Sequence, residues 1–394
     1  MDRATVKIRV IALLCALLFA AAILKPVYAS ESGNAVQQTP AAQETPAAQE
    51  TPAAQQSAEP DPSIPLKVTA IDFGWEGWGD GTMIESNGEC MLMDTFMPDC
   101  EDTLKEFLLD NGYTEFSLYL SHFHADHFGN MRNIMWDDRF KVKAVYMPDD
   151  AYLWATDNDY ADLLGWFHSM DIAIRELAVE KGIPLIVLHP GDSFRIGDAK
   201  VEILYGTTYE SDDHDREYLN NNSLVARITG GGIRYLTCGD TGAEVEKKIL
   251  EEGIDVSADL YKMSHHGGDT GNSYEFMEAV NPSFGFFNST DDAPDSFANG
   301  WVETPVRNLM EFANVYSSRY NGTVTFKARD GVITVRAERN RTPKIMTYRA
   351  EGGIGLSLTY QQFNNRQEPM DTEKMRAAGA AAAEKHGLLP AVYK

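Results

Sequence analysis

The sequence predicts an α/β fold with two mixed β-sheets packed face to face and helices on the outside. Strand-like stretches form hairpins early in the chain, between residues 66 and 94, and strand-like and helix-like stretches alternate after them. Three later strand-like stretches run directly into metal-binding residue types that are followed by glycine. This order predicts a sandwich in which several strand ends meet at one rim.

The first 29 residues have the pattern of a secretory signal peptide. Basic residues precede the apolar run Val10–Leu24, and the small residue Ala29 follows it. The run is short for a membrane-spanning helix, which needs roughly 20 apolar residues, and an uncleaved anchor stays open as the alternative. We therefore expect membrane contact only through this signal or anchor. The protein is expected outside the cytoplasm of a bacterium, secreted or tethered to the membrane or wall.

Residues 30–64 predict a disordered spacer. The hexapeptide Thr-Pro-Ala-Ala-Gln-Glu begins at Thr39 and recurs at Thr45, and such a composition builds no core. The spacer is either a tether or a passive linker. A large domain is expected over residues 65–338, followed by a C-terminal extension over residues 339–394 whose Ala-rich helix favours a surface position over an oligomer contact. The sequence leaves the oligomeric state open.

The chain is strongly acidic. Its formal net charge is -25 at pH 7; residues 1–29 hold four basic residues and one acidic residue, so 30 basic and 58 acidic residues remain, or -28. Broad nucleic-acid binding needs a basic surface, and this composition argues against it. After residue 29 the odd number of cysteines excludes a fully paired framework. A Cys90–Cys100 bridge stays open, and Cys238 is expected to be a buried strand residue.

Local patterns predict the individual elements. Asn87-Gly88 separates two strand-like runs and predicts a tight hairpin. Glu101–Leu109 is amphipathic and stops at Asn111-Gly112, as helices do. A closing hairpin is predicted around Asp330-Gly331. Further strand-like or helix-like stretches lie at 68–74, 82–86, 89–94, 142–147, 171–180, 184–188, 199–205 and 223–238.

Metal-binding residue types concentrate just after the apolar run Phe116–Leu120, which predicts a buried strand. In an extended chain His122 and His124 project to the same side and can share one ion. Asp126 and His127 are adjacent, and their natural target is a second ion; two-metal hydrolytic sites hold their ions roughly 3.5–4 Å apart. A single histidine beside a strand is usually structural. Three histidines and one aspartate within six positions instead favour a metal site.

Two further strand-like stretches end in the same way. One leads into Gly239-Asp240, and the other leads into His265-His266-Gly267. A Gly-Asp pair alone is weak evidence because it occurs in many turns, but a carboxylate can bridge two cations. Strand ends lying side by side would bring these residues to one rim.

These motifs together resemble the metallo-β-lactamase fold, a four-layered αβ/βα sandwich, over roughly residues 66 to 335. The motifs that carry the resemblance are His122-x-His124-x-Asp126-His127, Gly239-Asp240 and His265-His266-Gly267. Three further stretches resemble the branch that holds the hydrolase domain of the ComEC competence proteins and the phosphorylcholine esterases of bacterial cell walls. They are Asp72-Phe73-Gly74, Asn221–Val225 and Lys262–Gly267.

The resemblance implies a binuclear hydrolase with two divalent ions, zinc being the first choice. The ligands of the first ion would be His122, His124 and the bridging Asp240. The ligands of the second ion would be Asp126, His127, Asp240 and one of the paired histidines, and the family pattern favours His265.

One ligand of the first ion stays open. Many members of the family place another histidine ligand between these motifs, and the histidines in that region of this chain, His168, His189 and His214, do not match the motif. The candidates that would complete the first ion are His266 and Asn222.

The implied chemistry is hydrolysis by a metal-bridging hydroxide, because zinc lowers the pKa of bound water to about 7. Manganese or iron would also suit the ligands. Asp126 is expected to orient the hydroxide, and His266, if it is not a ligand, is expected to protonate the leaving oxygen. Asp94 follows a strand and is expected to orient a ligand histidine.

The expected function is a secreted or envelope-associated phosphodiesterase. Its partner would be a small-molecule or cell-envelope phosphodiester such as phosphorylcholine. Trp75, Trp78 and Trp301 would suit a choline head group, and packing explains them equally well. The alternatives are a secreted nuclease, which the ComEC resemblance also implies, a lactone or lactam hydrolase, and a degenerate fold that only binds a partner. The intact ligand set disfavours the last of these, and the missing histidine ligand disfavours the lactone and lactam class.

Overall fold

The computed structural model describes six ranges of the chain, and all of them belong to the unit Gln55–Lys394. The predicted signal peptide, most of the spacer, the Ala-rich stretch, Trp75, Trp78 and Trp301 lie outside the described residues. The described ranges are 60–73, 79–155, 161–210, 216–288, 303–311 and 313–339. None of the helices within these ranges combines the length and apolarity that a membrane crossing requires.

Eight strands form the first sheet. They are β1 (Leu66–Ala70), β2 (Thr82–Ser86), β3 (Glu89–Met93), β4 (Glu115–Tyr119), β5 (Lys141–Pro148), β6 (Leu185–Leu188), β14 (Val324–Arg329) and β15 (Val332–Ala337). Their order across the sheet is β15-β14-β1-β2-β3-β4-β5-β6. The strands from β15 to β3 pair antiparallel, and those from β3 to β6 pair parallel. The sheet is therefore mixed, as predicted.

Seven strands form the second sheet. They are β7 (Ser193–Ile196), β8 (Ala199–Tyr205), β9 (Val225–Gly230), β10 (Ile233–Thr237), β11 (Leu260–Lys262), β12 (Phe284–Phe287) and β13 (Asn314–Ser317). Their order is β13-β12-β11-β10-β9-β8-β7, with β7 to β10 antiparallel and β10 to β13 parallel. Parallel strands need crossover connections, and helices supply most of them.

Ten helices and two 3₁₀ turns connect the described strands. The helices are α1 (Glu101–Asp110), α2 (Ala125–Phe128), α3 (Met131–Trp136), α4 (Ala151–Ala155), α5 (Ala161–Lys181), α6 (Arg216–Asn221), α7 (Ala243–Glu251), α8 (Tyr274–Val280), α9 (Glu303–Leu309) and α10 (Ser318–Asn321). The 3₁₀ turns are Pro98–Cys100 and His265–Gly267.

Three buried apolar clusters define four layers. One cluster lies between the sheets and joins residues such as Val68 of β1 to Phe286 of β12. A second packs Leu104 of α1 and Ile174 of α5 on the outer face of the first sheet. A third packs α7, α8 and α9 on the outer face of the second sheet, with Val245 as an example. The predicted four-layered αβ/βα sandwich is confirmed.

The local predictions agree closely with the elements. Asn87 and Gly88 have φ values of 47° and 82° between β2 and β3, as a two-residue hairpin turn requires. Asp330 and Gly331 do the same between β14 and β15, with φ values of 53° and 82°. The helix predicted at 101–109 is α1. The stretch predicted at 171–180 is the second half of the longer helix α5.

The structure agrees with only part of what the sequence predicts for the cysteines. Cys238 is fully buried, as predicted, but it lies just after β10 and not within a strand. Cys90 and Cys100 are also buried, and no disulfide joins them in the described structure. The extended strand β3 carries the chain away from Cys90 before the turn that holds Cys100.

Leu118 of β4 is fully buried on the strand that leads into the histidine motif. We expect Leu118→Ala to lower the free energy of unfolding by about 2–5 kcal/mol, because it removes buried methyl groups and leaves a cavity. Urea unfolding measures this change. The control is Val179→Ala on α5, whose side chain is 83% exposed, and it should change stability by no more than about 0.5 kcal/mol. Equal effects of the two changes would contradict the assigned packing.

Candidate metal centre

Three strand ends from the two sheets meet at one edge of the sandwich. The chain beyond β4 carries His122, the chain beyond β10 carries Asp240, and the chain beyond β11 carries the turn His265–Gly267. A backbone hydrogen bond from Leu224 N to Ser121 O, 3.0 Å long, joins the end of β4 to the segment before β9. Both sheets therefore contribute side chains to the same place.

His122 and His124 form the first group. His122 Nε2 lies 3.0 Å from His124 Nδ1, with the two rings nearly perpendicular. Nitrogens that bind one tetrahedral zinc at 2.0–2.1 Å are about 3.3 Å apart by geometry. His122 Nε2 is also 4.0 Å from Asp240 Oδ2. The pair is placed as two ligands of one ion would be.

Asp126, His127, Asp240 and His266 form the second group, in which one ligand atom of each lies within 4.8 Å of the others. His124 is still extended, with φ −91° and ψ 150°, and the short helix α2 then begins. This change of backbone direction turns Asp126 and His127 back toward the motif. His127 Nε2 is 3.1 Å from Asp240 Oδ2, and His266 Nε2 is 2.9 Å from Asp126 Oδ2.

Asp240 Oδ2 is the atom that the two groups share. Ring nitrogens of four histidines lie 3.1 to 4.0 Å from it, and they belong to His122, His127, His265 and His266. Its other oxygen, Oδ1, is buried and accepts no hydrogen bond from any described residue. Imidazole nitrogens and carboxylate oxygens are ligands that zinc, manganese and iron accept. The donor set fits divalent ions, which Asp240 would hold together with the histidines.

The candidate ligands thus come from the carboxyl ends of strands in two facing mixed sheets that helices cover on both outer sides. This architecture is the four-layered αβ/βα sandwich of the metallo-β-lactamase fold, which the sequence motifs resemble.

Comparison with known proteins gives one curated relative. No protein-family model matches the chain. The chain is 22% identical over 240 residues to ComE operon protein 3 of Bacillus subtilis. The aligned region covers 59% of this chain and 27% of that protein. The chain therefore spans about a quarter of the length of the curated relative that it matches.

The solved structures that resemble this chain have low TM-scores. The metallo-β-lactamase fold protein YhfI from Bacillus subtilis has a TM-score of 0.40 and 14% identity, covering 64% of this chain and 96% of its own. Igni18, a metallo hydrolase from the archaeon Ignicoccus hospitalis, has a TM-score of 0.41 and 18% identity, covering 67% and 100%. At these TM-scores, nothing about this chain's chemistry is inferred from the two structures.

The surroundings of the first group favour neutral imidazoles. Burial lowers the pKa of His122 well below its ordinary value and lowers the pKa of His124 to about 4, and the nearby carboxylates reverse only part of this effect. Neutral imidazole is the form that binds metal ions. These two side chains are therefore ready to bind without losing protons.

The second group carries an excess of negative charge. Burial opposes the charge of His127 and His266, but the surrounding carboxylates outweigh burial and raise both pKa values well above the ordinary value. The same ion pairs lower the pKa of Asp126 and Asp240, although burial acts against this as well. The carboxylates thus require buried positive charge. Divalent ions would supply that charge and displace the imidazole protons.

The structure differs from the sequence-based expectation about which of the paired histidines joins the second group. His266, rather than His265, lies in the second group. His265 Nε2 is 3.9 Å from Asp240 Oδ2, and its Nδ1 contacts the hydroxyl of Thr270. Both histidines have positive φ, 46° and 53°, in the 3₁₀ turn. This backbone breaks the alternation of the strand before it, which is why residue order does not indicate which ring reaches the ions.

Other residues considered for the first ion lie elsewhere. The side chain of Asn222 bonds to backbone atoms of Tyr209 and Tyr218, so its amide is occupied. His168 stacks on Trp154, and His189 lies on the surface beside Asp149 and Asp192. His214 lies outside the described residues.

Asp94 holds His127 from behind, in the role expected for it. His127 Nδ1 is 2.8 Å from Asp94 Oδ2, and Asp94 also accepts hydrogen bonds from the backbone N–H and the hydroxyl of Ser121. A carboxylate in this position selects the tautomer and the orientation of a ligand histidine.

Two buried residues at the centre escaped the sequence-based prediction. The carboxylate of Asp80 contacts the ammonium group of Lys262, and both side chains are almost completely buried. Asp80 lies in a Gly-Asp-Gly segment, which by itself indicates only a turn. Lys262 is the last residue of β11, where an apolar side chain would be expected. The signal available in the sequence was the charged Lys262 at the end of a strand that is otherwise buried.

A buried hydrogen-bond network supports the turn His265–Gly267. The side chain of Asn272 accepts from Ser264 N at 2.9 Å and donates to Gly268 O at 2.8 Å, so it spans the turn. Glu246 of α7 is fully buried and accepts from the backbone N–H groups of Asn272 and Ser273, at 2.6 and 2.8 Å. The helix α7 thus positions the paired histidines indirectly.

Glu246 makes stability depend on pH. Burial raises its pKa from 4.5 to about 7, although the N–H donors act in the opposite direction. The folded chain then holds this proton more tightly than the unfolded chain. The contribution of protonated Glu246 to the free energy of unfolding is therefore complete below pH 4.5 and is lost as pH rises to 7. From 1.4 kcal/mol per pKa unit, the loss is on the order of 3 kcal/mol.

We expect the free energy of unfolding of Glu246→Gln to fall less between pH 5 and pH 8 than that of the wild type. Urea unfolding at several pH values measures the difference. The amide of Gln faces an N–H donor, so the variant should be less stable overall, and the slope with pH is the diagnostic quantity. Equal slopes would show that Glu246 does not titrate in this range.

We expect the purified chain to bind divalent ions and His127→Ala to lose at least one equivalent, because His127 Nε2 points at Asp240. Isothermal titration with zinc after treatment with a chelator measures the stoichiometry. His189→Ala removes an exposed histidine and is the matched control, with wild-type stoichiometry expected. Equal zinc binding by His127→Ala and the wild type would contradict the assigned second group.

Proposed function

We propose that the chain is a metal-dependent hydrolase that cleaves a phosphodiester of the cell envelope, with phosphorylcholine esters as the leading candidates. The observation that carries the proposal is the convergence of four histidines on Asp240 Oδ2, with Asp126 beside them. Two ion positions around one shared carboxylate suit the displacement of an oxygen leaving group, in which the attacking and leaving oxygens are held together.

Divalent ions, when bound, polarise a phosphoryl oxygen and make a water nucleophilic near neutral pH. The chain's own residues orient the reacting groups. Asp126 is half-buried, and its Oδ2 lies between His127 and His266, at 3.6 and 2.9 Å. We assign Asp126 the task of accepting a hydrogen bond from the attacking water and so directing it at phosphorus.

The leaving oxygen needs a proton. His266 does not suit this task, because its Nε2 faces Asp126 and its Nδ1 faces Asp80. The side chain of His265 is 14% exposed, whereas that of His266 is 3% exposed. We therefore assign the proton donor to His265 Nε2, in place of the His266 that the sequence favoured.

The charge of the chain bears on the substrate. With a formal net charge of -25, it repels long polyanions. Lys262 is buried at the centre and is paired with Asp80, so it is not presented to a polynucleotide. A short phosphodiester with a cationic head group suits these surroundings. The predicted signal and spacer would place the enzyme at the envelope, where such esters occur.

A nuclease is the second candidate. The similarity to ComE operon protein 3 favours it, since the resemblance to the ComEC branch implies a nuclease. The two candidates share the metal centre and differ in the substrate that reaches it, so one assay with two substrates separates them.

We expect the purified chain, loaded with zinc or manganese, to hydrolyse p-nitrophenyl phosphorylcholine with a higher kcat/KM than bis-p-nitrophenyl phosphate. A chelator should abolish turnover, and added metal should restore it. Asp240→Asn should lower kcat/KM by at least about 100-fold, since changes outside the ligand shell already cost 10–100-fold. His189→Ala is the control and should keep wild-type activity.

Each other outcome has a meaning. Turnover of the bis-aryl ester alone would favour the nuclease, and single-stranded DNA would then be the next substrate. No turnover of either ester by a chain that binds two metal ions would overturn the phosphodiester proposal and favour a lactone or lactam hydrolase.

A further inference from the structure

A buried ion pair lies directly behind the metal centre. The side chains of Lys262 and Asp80 are 3% and 2% exposed, and the ammonium group contacts Asp80 Oδ2. Removing two charges from water is costly, and a buried pair usually stabilises a fold no better than apolar residues of the same size. Stability alone therefore does not explain this pair, and its place beside the ligands indicates another role.

The ammonium group of Lys262 connects the segments that carry the ligands. Besides Asp80, it donates to Gly239 O at 3.2 Å and approaches Met263 O at 3.4 Å. Gly239 precedes Asp240, and Met263 leads into the turn of the paired histidines. One charge thus holds three separate segments of the chain in fixed relation.

Asp80 faces the ligand His266. Its Oδ1 is 3.4 Å from His266 Nδ1, while His266 Nε2 points at Asp126 and Asp240. The backbone N–H of Asp80 donates to Asp126 O at 3.0 Å, which ties the same residue to another ligand. Within the described residues the Asp80 carboxylate accepts no well-aligned hydrogen bond, so ion pairs are its contacts. His127 Nδ1 also lies near it, but at 3.9 Å from Oδ2 it is farther away than His266 Nδ1 is from Oδ1.

A similar arrangement, there with a hydrogen bond, occurs elsewhere in the centre. Asp94 Oδ2 lies 2.8 Å from His127 Nδ1, with His127 Nε2 toward Asp240. Ligand histidines generally donate their other ring N–H to such a carboxylate, which fixes the tautomer and makes the ligand more basic. The centre therefore holds two carboxylate–histidine pairs, Asp94 with His127 and Asp80 with His266.

We propose that Asp80 orients His266 as a metal ligand and that Lys262 holds the Asp80 carboxylate in place for this purpose. Both are positioning residues, and neither is a ligand itself. The inference rests on the proposed metal centre and adds two residues to it. It accounts for a buried lysine at the end of a strand, where an apolar side chain would otherwise suffice.

The test uses cobalt(II) and zinc(II) alone as probes of the chain after treatment with a chelator. Asp80→Asn keeps the shape of the side chain and removes its charge. We expect it to weaken one of two metal equivalents by about 10–100-fold, the usual cost of losing an orienting carboxylate, and to leave the other equivalent unchanged. Competition with a chelating dye measures the affinities, and the visible spectrum of bound cobalt reports the ligand geometry.

Lys262→Met should weaken the same equivalent. The double variant Asp80→Asn/Lys262→Met should be no weaker than the weaker single variant, because the two residues act through one histidine. The matched control is Lys67→Met, which breaks the ion pair of Lys67 with the buried Glu85, between β1 and β2. That control should bind both metal equivalents with wild-type affinity.

The outcomes separate this inference from the proposed function. Thermal melting in the presence of a chelator establishes that each variant folds, and either Asp80→Asn or Lys262→Met suffices if the other does not. Wild-type affinity for both equivalents in a folded variant, or equal weakening of both, would overturn the assignment of Asp80 and Lys262. The absence of metal binding by the wild-type chain would overturn the metal centre and this assignment together.

Discussion

A single carboxylate oxygen, Oδ2 of Asp240, is the point on which the centre depends. Ring nitrogens from both sheets of the sandwich lie within 4.0 Å of it. His122 and His127 arrive from the end of β4, whereas Asp240, His265 and His266 arrive from the ends of β10 and β11. The registers of two sheets must therefore agree for the centre to exist, and the packed layer between them enforces that agreement.

The cost of this convergence is electrostatic. The carboxylates of Asp80, Asp94 and Asp240 are buried and that of Asp126 is half-buried. Oxygens of Asp80 and Asp94, and those of Asp126 and Asp240, lie within 4.8 Å of each other, where water screens their repulsion poorly. Histidines and Lys262 supply compensating charge, and divalent ions would add to it. Positive φ values at Asp94, His265 and His266 add backbone strain in the same place. Strained backbone and buried charge commonly concentrate at functional sites, and the well-packed layers around this one support them.

The fold with its metal centre indicates the class of chemistry, but it does not identify the substrate. Two mixed sheets with candidate metal-binding residues at their strand ends support the proposed class of chemistry, metal-dependent hydrolysis, but such a scaffold serves many substrates. The choice among substrates depends on charge and on the loops above the centre. The acidic balance of the chain favours a small ester over a polynucleotide, and this is why the proposed function names an envelope phosphodiester.

Local patterns in the sequence were sufficient for the hairpins at Asn87-Gly88 and Asp330-Gly331, for the layered α/β class and for the list of metal-type residues. These features depend on near neighbours: turn geometry, strand alternation and the spacing of His122 and His124 are all set within a few residues. Only the tertiary structure decided that His266 rather than His265 joins Asp126, and that Asp80 meets Lys262. Those contacts join segments far apart in the chain, and their geometry arises from the packing of two sheets and a turn with positive φ, which residue order alone does not specify.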